Sequence, residues 1–420
     1  MGTWKVGLAK RVFTPPLGLA LAGYGLRPHR KVEEVLDDLH VRALVFDDGK
    51  TKAALVSVDV ITLNAALTQN IRTRVEKETG IPAGAILLSA THSHSTPTAN
   101  FFRQWGTLDP NFVRLVEKSA VEAILEADRL RAPAALGCGE AAVAGIAVNR
   151  VRKDGPVDHS LRVLGIRAAD GAALRAAAVN FACHPVCMDQ ETHYVSADYP
   201  GRVVRELERG HPGALGAFFQ GASGDINPVG LWKGPDAAQA HGHTLAAGAR
   251  QILEGLKFSG QGDLAFSQMD CELPLDLESA RREATQYLFQ GAIRKGHGWL
   301  AQGGFMREWA HEVLGLLASQ PPDRLRCEVY ALRIGDLAIV GLPGEMYTLI
   351  GQAIRAASPF PQTWVVGFAN GNIGYVVDPR DYAEETYASC LAPKIMGYPP
   401  YQPEAWEVMA AAGIRALKKL

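Results

Sequence analysis

An apolar run leads directly into a histidine-containing loop in the segment Ala85-Ile86-Leu87-Leu88-Ser89-Ala90-Thr91-His92-Ser93-His94-Ser95. Residues 85–88 are typical of a buried strand, and the polar residues that follow mark its end. The same pattern recurs four times, in apolar runs that stop at Gly- or Pro-containing loops: residues 176–183, 215–219, 337–342 and 364–368. Ligand sites in α/β proteins lie outside the carboxyl ends of strands. We therefore predict an α/β fold in which these five strands share one sheet and their ends meet.

Helical spacing fills the gaps between the strands. It predicts a helix over residues 67–79 with Gly80 as its C-cap, and further helices over residues 111–127, 199–208, 237–256 and 351–357. The first 65 residues instead predict strands and turns, including a hairpin formed by residues 40–47 and 53–60 around an Asp-Gly turn.

A long, mostly helical excursion covers about residues 277–320. It contains a glycine-rich stretch, which predicts a bend between two or more helices: Gly291, Gly296, Gly298 and Gly303-Gly304. An excursion of this size beside a strand-end site is typical of a lid, and equally of a packing layer on one face of the sheet.

The composition is that of an ordinary globular chain. The 420 residues include 43 basic and 44 acidic side chains, and 47% are hydrophobic. This balance excludes a largely disordered chain and provides no attraction to nucleic acid or to an anionic membrane surface. No linker or repeat divides the sequence, so we expect one domain over residues 1–420 and a small-molecule substrate.

The sequence lacks the usual marks of export or membrane insertion. No apolar run reaches the ~18 residues of a membrane-spanning helix, and the N-terminus does not resemble a signal peptide. Six cysteines in a chain of this length do not form a disulfide framework. We therefore expect reduced thiols, a cytoplasmic location and no membrane anchor. A homo-oligomer is compatible with the sequence, which does not specify the oligomeric state.

Histidines and a carboxylate follow three of the predicted strands. His92 and His94 are two positions apart, which on an extended chain directs both imidazoles to the same side. His184 and Glu345 end two other strands, and a carboxylate there is unfavourable unless it is paired or bound to a metal. Imidazole and carboxylate suit zinc, and together with Tyr375 they leave room for water, as a catalytic zinc site requires.

Other motifs leave alternatives open. Cys183 or Cys187 could supply a thiolate ligand, although small buried cysteines are commoner. Gly221-Ala222-Ser223-Gly224-Asp225 is similar to the Gly-x-Ser-x-Gly nucleophile motif, except that its second Gly comes one position early. A serine hydrolase that uses Ser223 is therefore an alternative. His241-Gly242-His243 repeats the His-x-His spacing in a helical context, which would separate the rings. Nucleotide cofactors are not indicated, because the sequence contains no Walker A loop and no Gly-x-Gly-x-x-Gly motif that opens a helix after a strand.

Taken together, these motifs resemble the N-terminal catalytic domain of the neutral/alkaline ceramidase family. The matching elements run in family order: Thr14-Pro15-Pro16 with residues 22–25, then residues 56–59, 91–97, 149–150, 180–185, 196–201, 224–228, 343–345 and 370–375. Any one of them is weak, but the ordered set is specific. The resemblance implies a mixed-sheet α/β domain with helices on its faces and a zinc site at the strand ends.

The resemblance also implies roles for individual residues. It implies four zinc ligands, namely His92, His184, Glu345 and Tyr375. His94 would contact the substrate or the oxyanion, and Arg150 would face the pocket. Because no free carboxylate stands out as a general base, His94 or Asp225 would move the proton, with Tyr375 assisting the oxyanion.

The chain departs from the family pattern at several points. Asn227 occupies the position of a family serine, and an amide can only donate or accept hydrogen bonds. Asn227 is therefore expected to bind substrate, with water as the attacking group. Val12 occupies the position of the usual Asp. The chain is also too short for the family's C-terminal β-sandwich and lacks its secretion signal, so we expect a shortened, intracellular relative that is poorly suited to ceramide itself.

These inferences favour a Zn²⁺-dependent amidase that cleaves an N-acyl or other small amide. Two alternatives remain open at this stage: the serine hydrolase that uses Ser223, and a non-catalytic metal-binding relative that kept the fold without the reaction. Stoichiometric zinc, fluorophosphonate labelling and turnover of amides distinguish the three.

Overall fold

A computed structural model describes residues 2–25, 30–171, 173–291 and 304–420. Its strands are β1 (Gly2–Thr3), β2 (Lys5–Val12), β3 (Glu34–Val35), β4 (His40–Asp47), β5 (Lys52–Val58), β6 (Ile86–Ala90), β7 (Ala132–Ala142), β8 (Ala147–Asn149), β9 (Ser160–Ala168), β10 (Leu174–Phe181), β11 (Tyr194–Val195), β12 (Leu215–Gln220), β13 (Ile226–Pro228), β14 (Gln261–Gly262), β15 (Leu264–Pro274), β16 (Arg324–Ile334), β17 (Leu337–Gly341), β18 (Glu345–Met346), β19 (Gln362–Val366) and β20 (Tyr375–Val376).

The helices are α1 (Ala65–Thr79), α2 (Pro110–Arg129), α3 (Asp198–Gly210), α4 (Pro235–Gly255), α5 (Leu277–Gln290), α6 (Phe305–Ala318), α7 (Thr348–Ala356), α8 (Pro379–Ala383), α9 (Ala392–Met396) and α10 (Ala405–Leu417). A 3₁₀ turn covers Ala83–Ala85 and a π-helical turn covers Tyr387–Leu391. Among the described residues, no helix combines the length and apolarity needed to cross a bilayer.

Local sequence signals place these helices well. The Asn64 side chain accepts a hydrogen bond from the main-chain N–H of Leu67 and caps the start of α1. Gly80 ends the same helix with φ 71°, the left-handed conformation that glycine adopts without a Cβ penalty. The predicted helices correspond to α1, α2, α3, α4 and α7, with end differences of a few residues.

Two sheets form the body of the molecule. The larger has the order β12-β10-β9-β7-β2-β4-β5-β6, and the smaller has the order β15-β16-β17-β19. Both are mixed: β5 with β6, β10 with β12, and β17 with β19 are parallel, while β4 with β5 forms the predicted antiparallel hairpin. The five predicted strands are β6, β10, β12, β17 and β19. The expectation of one shared sheet is wrong, because β17 and β19 pair with the β15-β16 ribbon instead.

Asn370 joins the two sheets where their strands end. It follows β19 with φ 55°, and its main-chain N–H donates to the carbonyl oxygen of Leu88. Its side chain then pairs with the edge strand β6: Oδ1 accepts from the Leu88 N–H at 2.9 Å, and Nδ2 donates to the Ile86 carbonyl at 3.0 Å. One side chain therefore satisfies main-chain groups that an edge strand would otherwise leave unpaired.

Helices pack on both sheets and bury an extensive core. Helix α2 places Phe112 and Val116 against the larger sheet. Helices α3 and α4 pack against each other and against β12 and β9. A second core lies between the smaller sheet and helices α7 and α10, around Ile350 and Met409. None of the six cysteines forms a disulfide, as expected.

The excursion near residues 277–320 contains α5 and α6, which pack against each other. Phe305 and Trp309 of α6 are at most 2% exposed and pack in one cluster with Phe102. The buried Arg103 guanidinium donates to Glu308 at 3.0 Å and to Glu312 at 2.7 Å. The described parts of the excursion therefore pack against the loop that contains Phe102 and Arg103. Most of the predicted bend, with Gly296, Gly298 and Gly303, lies outside the described residues.

Candidate metal centre

Three imidazoles and one carboxylate meet where the two sheets join. His92 Nε2 lies 3.1 Å from His94 Nε2 and 3.5 Å from Glu345 Oε2. The same carboxylate oxygen lies 3.2 Å from His184 Nε2. All four residues are at most 9% exposed, and ligand atoms of the three histidines lie within 4.8 Å of one another. The structure thus places three of the four predicted ligands in one cluster with His94, and the fourth, Tyr375, lines the same small cavity as His92 and Glu345.

Main-chain carbonyl oxygens set the orientation of each imidazole. The Nδ1 atoms of His92, His94 and His184 lie 2.6, 2.9 and 2.8 Å from the oxygens of Ile61, Gly23 and Ser223 respectively. A carbonyl oxygen can only accept, so each Nδ1 carries a proton and each Nε2 keeps its lone pair. The three Nε2 atoms and the Glu345 oxygen are then acceptors that face one another. Such groups repel unless a cation lies among them, and outer-shell carbonyls are the usual means of orienting histidine ligands.

The protonation states suit metal binding. Burial lowers the pKa of His184 to about 4, and Arg150 acts in the same direction. Burial also lowers the pKa of His94 well below its usual range, with His92 and His184 adding to the effect. Burial acts to raise the pKa of Glu345, but the charge and hydrogen bonds of His92 and His184, when these rings are protonated at Nε2, outweigh it and hold that pKa well below its usual range. A neutral imidazole and an ionised carboxylate are the forms that bind metals, and the shifts of His94, His184 and Glu345 favour these forms.

The two rings of the His-x-His motif converge as predicted, but the backbone between them is not extended. His92 has φ 71°, in the left-handed region that a non-glycine residue seldom occupies. Its ring lies 4.7 Å from that of His94 at an angle of 88° and stacks on Phe368 at 3.9 Å. A sharp turn after β6 therefore replaces the predicted extended chain, and Phe368, in the loop after β19, packs on the His92 ring.

A buried ion pair supports this turn from behind. Asp59 Oδ2 accepts from Arg42 Nη1 at 2.8 Å and from the His40 main-chain N–H at 3.0 Å. Its other oxygen accepts from the hydroxyl of Thr91, the residue before His92, at 3.3 Å. The side chains of Arg42 and Asp59 are 3% and 2% exposed. The pair thus links β4 and the end of β5 to the start of the histidine loop.

Glu345 and Tyr375 are brought together by a very short sheet. They are direct partners in the parallel pairing of β18 with β20. The Tyr375 hydroxyl accepts a hydrogen bond from Arg150 Nη2 at 3.0 Å. Burial and the Glu345 carboxylate raise the pKa of Tyr375 well above its usual value, although Arg150 acts in the opposite direction. The phenol therefore stands protonated beside the cluster.

Asp225 is engaged in fixing the start of α7. Its Oδ1 accepts from both the main-chain N–H and the hydroxyl of Thr348 at 2.8 Å, and its Oδ2 accepts from Asn149 at 3.0 Å. In the described part of the chain, no hydrogen bond joins this carboxylate to the imidazoles. Three donors occupy the oxygens that proton transfer would require, so these contacts favour a positioning role over the expected catalytic one.

Ser223 and Asn227 each bury a polar atom without a partner. The Ser223 hydroxyl has no hydrogen-bond partner among the described residues, and His184 contacts only the main-chain oxygen of Ser223. A serine nucleophile requires an adjacent base at its hydroxyl, so the contacts do not favour the serine-hydrolase alternative. Asn227 Oδ1 is likewise buried with no hydrogen-bond partner in the described part of the chain, and the residue lines the cleft beside the cluster.

A cleft of about 560 Å³ opens beside the cluster. His94, Arg150, Asn227 and Tyr375 line it, as does a set of aromatic side chains that sequence reasoning did not assign: Tyr24, Trp232, Tyr347 and Tyr387. A smaller cavity reaches deeper, to His92 and Glu345, and shares part of this lining. Scattered single aromatics in loops carry no sequence signal for such a cleft, because only the folded chain brings them together.

The fold and the cluster define an α/β protein with a candidate metal centre at the ends of its strands. Residues 4–244 match the family model of the neutral/alkaline non-lysosomal ceramidases, N-terminal part. The chain belongs to this family, which confirms the predicted resemblance.

Relatives and solved structures agree with this assignment. The chain is 23% identical to a neutral ceramidase of Pseudomonas aeruginosa, over 87% of this chain and 66% of the relative. It is 24% identical to a neutral ceramidase of Mycobacterium tuberculosis, over 87% of this chain and 70% of the relative. The crystal structure of the P. aeruginosa neutral ceramidase superposes with a TM-score of 0.79 at 20% identity, over 99% of this chain and 74% of that chain. The structure of a ceramidase complexed with C2 superposes with a TM-score of 0.78 at 20% identity, over 99% of this chain and 75% of that chain. The predicted fold class is confirmed. The chain spans about two thirds of the length of the curated relatives.

Proposed function

We propose that this chain is a metal-dependent hydrolase that cleaves amide bonds. The observation that carries the proposal is the convergence of three imidazole Nε2 atoms and the Glu345 oxygen, with every Nδ1 held by a main-chain carbonyl. Membership of the ceramidase family supports the reaction class, because the curated relatives are neutral ceramidases.

We propose Zn²⁺ as the ion, because imidazole nitrogens with one carboxylate oxygen are a donor set that zinc favours. His92, His184 and Glu345 would hold it, and Tyr375 or His94 would complete the set. When bound, the ion would supply Lewis-acid chemistry, polarising a carbonyl oxygen and lowering the pKa of a water molecule.

The residues around the cluster would orient the substrate and move protons. His94 lines both the deep cavity and the cleft, so its imidazole is placed to take a proton from water and return it to the leaving nitrogen. The Tyr375 hydroxyl, fixed by Arg150, would donate to the carbonyl oxygen as negative charge develops there. Asn227 would bind substrate in the cleft, and Asp225 would hold the start of α7 in place.

The sequence argument against ceramide as a substrate is not supported by the relatives, which are themselves named neutral ceramidases. Ceramide therefore belongs in the substrate panel together with small N-acyl amides.

Metal analysis and histidine variants test the proposal. Purified protein should contain stoichiometric zinc and hydrolyse at least one amide in the panel, while His92→Ala and His184→Ala should lose both properties. His243→Ala is the matched control, because that imidazole lies on the exposed side of α4 and is 62% exposed. Protein without a stoichiometric divalent ion, or full activity in both site variants, would overturn the proposal. Fluorophosphonate labelling that Ser223→Ala abolishes would instead support the serine hydrolase, and bound zinc without turnover would support the non-catalytic relative.

A further inference from the structure

The guanidinium of Arg150 has no carboxylate partner. Its Nε and Nη2 donate to the carbonyl oxygen of Gly224 at 3.0 and 2.6 Å, and Nη2 also donates to the Tyr375 hydroxyl at 3.0 Å. Within the described ranges, no further hydrogen bond or ion pair involves this side chain. The residues outside those ranges include neither Asp nor Glu. Because Arg remains protonated, this is a positive charge with no carboxylate of the chain within ion-pair distance, although the Glu345 carboxylate is near enough to act on its pKa.

The surroundings of Arg150 make this absence informative. Arg150 is half-buried in the wall of the 560 Å³ cleft, and it is the only Lys, Arg, Asp or Glu among the described residues that line it. Most of the remaining wall is apolar or aromatic, including Trp105 and Trp232. Buried charges in proteins are normally paired, and water-poor, apolar walls strengthen the attraction between opposite charges. An anionic ligand in the cleft would meet one cation and no competing carboxylate.

Arg150 is also close to the candidate metal ligands. Its Nη2 contacts the hydroxyl of Tyr375, whose direct partner across the β18-β20 pair is Glu345. With a divalent ion bound, the charges of the ion, Glu345 and Arg150 sum to a positive value, and the sum stays positive even with Tyr375 ionised. A neutral substrate leaves this charge uncompensated, whereas a substrate carboxylate offsets part of it.

We propose that the cleft selects amides that carry a carboxylate carbon two bonds from the scissile nitrogen, and that Arg150 binds this carboxylate. This substrate class consists of N-acyl amino acids with an apolar acyl or aryl group, which the aromatic wall would hold. The inference rests on the proposed function, since the scissile amide must lie at the cluster. In the reaction, the oxygen of water bonds to the acyl carbon, the C–N bond breaks and the nitrogen takes up a proton. The products are a carboxylic acid and a free amino acid.

A matched pair of substrates tests the selection. N-benzoylglycine carries the carboxylate, and N-isobutylbenzamide replaces it with an isopropyl group; both release benzoate, which chromatography measures. Hydrogen bonds to charged groups predict that kcat/KM of the zinc-loaded protein is roughly 10- to 100-fold higher for N-benzoylglycine. Arg150→Gln should reduce this ratio to about 1. Arg150→Lys keeps the charge and should retain part of the preference. Arg74→Gln, in which an exposed Arg of α1 is changed, should leave the ratio unchanged.

A binding measurement separates this inference from the proposed function. Chelator-treated protein is titrated calorimetrically with each compound, so the readout does not depend on turnover. Tighter binding of N-benzoylglycine to the wild type, lost in Arg150→Gln, supports the inference even where neither compound is cleaved and the proposed function fails. Cleavage of both compounds with equal kcat/KM overturns the inference and leaves the proposed function standing. A carboxylate preference that survives in Arg150→Gln, in either assay, also overturns it.

Discussion

Replacing Asp59 with Ala should destabilise the protein far more than a surface substitution of the same kind. The change removes the acceptor of Arg42, whose side chain is 3% exposed and donates through Nη1 to Asp59. The Arg42 guanidinium would remain charged and buried, and its Nε already has no hydrogen-bond partner among the residues that the structure describes. The main-chain N–H of His40 and the hydroxyl of Thr91 would lose their acceptor as well.

The expected magnitude follows from this burial. Breaking a buried ion pair by removing one partner costs about 3–5 kcal/mol of unfolding free energy, because the remaining charge is uncompensated. The Asp270–Arg326 pair provides the matched control, since its two side chains are 57% and 69% exposed and Asp270→Ala removes the same type of contact. Exposed pairs contribute about 0–1 kcal/mol. The two Asp→Ala variants should therefore differ by at least about 2 kcal/mol.

Urea unfolding, followed by circular dichroism and by tryptophan fluorescence, measures this difference as a shift in midpoint at an unchanged m-value. The double variant Arg42→Leu/Asp59→Leu should recover much of the loss, because it removes both charges and fills the space with apolar groups. Equal midpoints for Asp59→Ala and Asp270→Ala would refute the reasoning, as would a double variant that is no more stable than Asp59→Ala.

Three further outcomes are expected. Gly23→Ala should weaken zinc binding, because the added Cβ would lie 2.6 Å from His94 Nδ1. Gly18→Ala is the control and should not weaken it, because Gly18 has a similar positive φ but no described atom within 4 Å of the added Cβ. Zinc titration with a competing chelator compares the two variants. Asn370→Ala should lower the free energy of unfolding by about 2–4 kcal/mol, measured from the urea midpoint and m-value, since it removes the side-chain partner of two buried main-chain groups of β6; a loss below about 0.5 kcal/mol would contradict this. Burial raises the pKa of Cys138 to about 11, so its alkylation rate should rise about tenfold per pH unit throughout pH 8 to 10, and a rate that levels off above about pH 9 would exclude the shift.

The sequence predicted the parts of the fold that depend on local signals. Apolar runs bounded by Gly or Pro marked the strands, and the Asn64 and Gly80 caps bounded α1. The division of those strands between two sheets was not predicted, because it depends on β15 and β16. These two strands pair along eleven residues although the α5–α6 excursion separates them in the chain. Their alternating polar and apolar residues are typical of strands, but nothing local in the sequence indicates that two strands so far apart in the chain pair with each other.

For the candidate site, the sequence predicted most of the residues but not the geometry that brings them together. Residue chemistry at the strand ends selected His92, His184 and Glu345, and the structure places them within hydrogen-bonding distance. The two-residue strands β18 and β20 are too short for any periodicity to reveal. The left-handed turn at His92 and the three donors on Asp225 were also unpredictable, since both result from contacts distant in sequence.

The order of the site residues along the chain has a consequence for biosynthesis. Roughly 250 positions separate His92 from Glu345, so a ribosome working at about 5–20 residues per second completes the histidines tens of seconds before the carboxylate. The β18-β20 pair forms later still, once Tyr375 has left the exit tunnel. During that interval the nascent polypeptide carries the imidazoles without Glu345, so the proposed metal centre is complete only after residue 375 has been made.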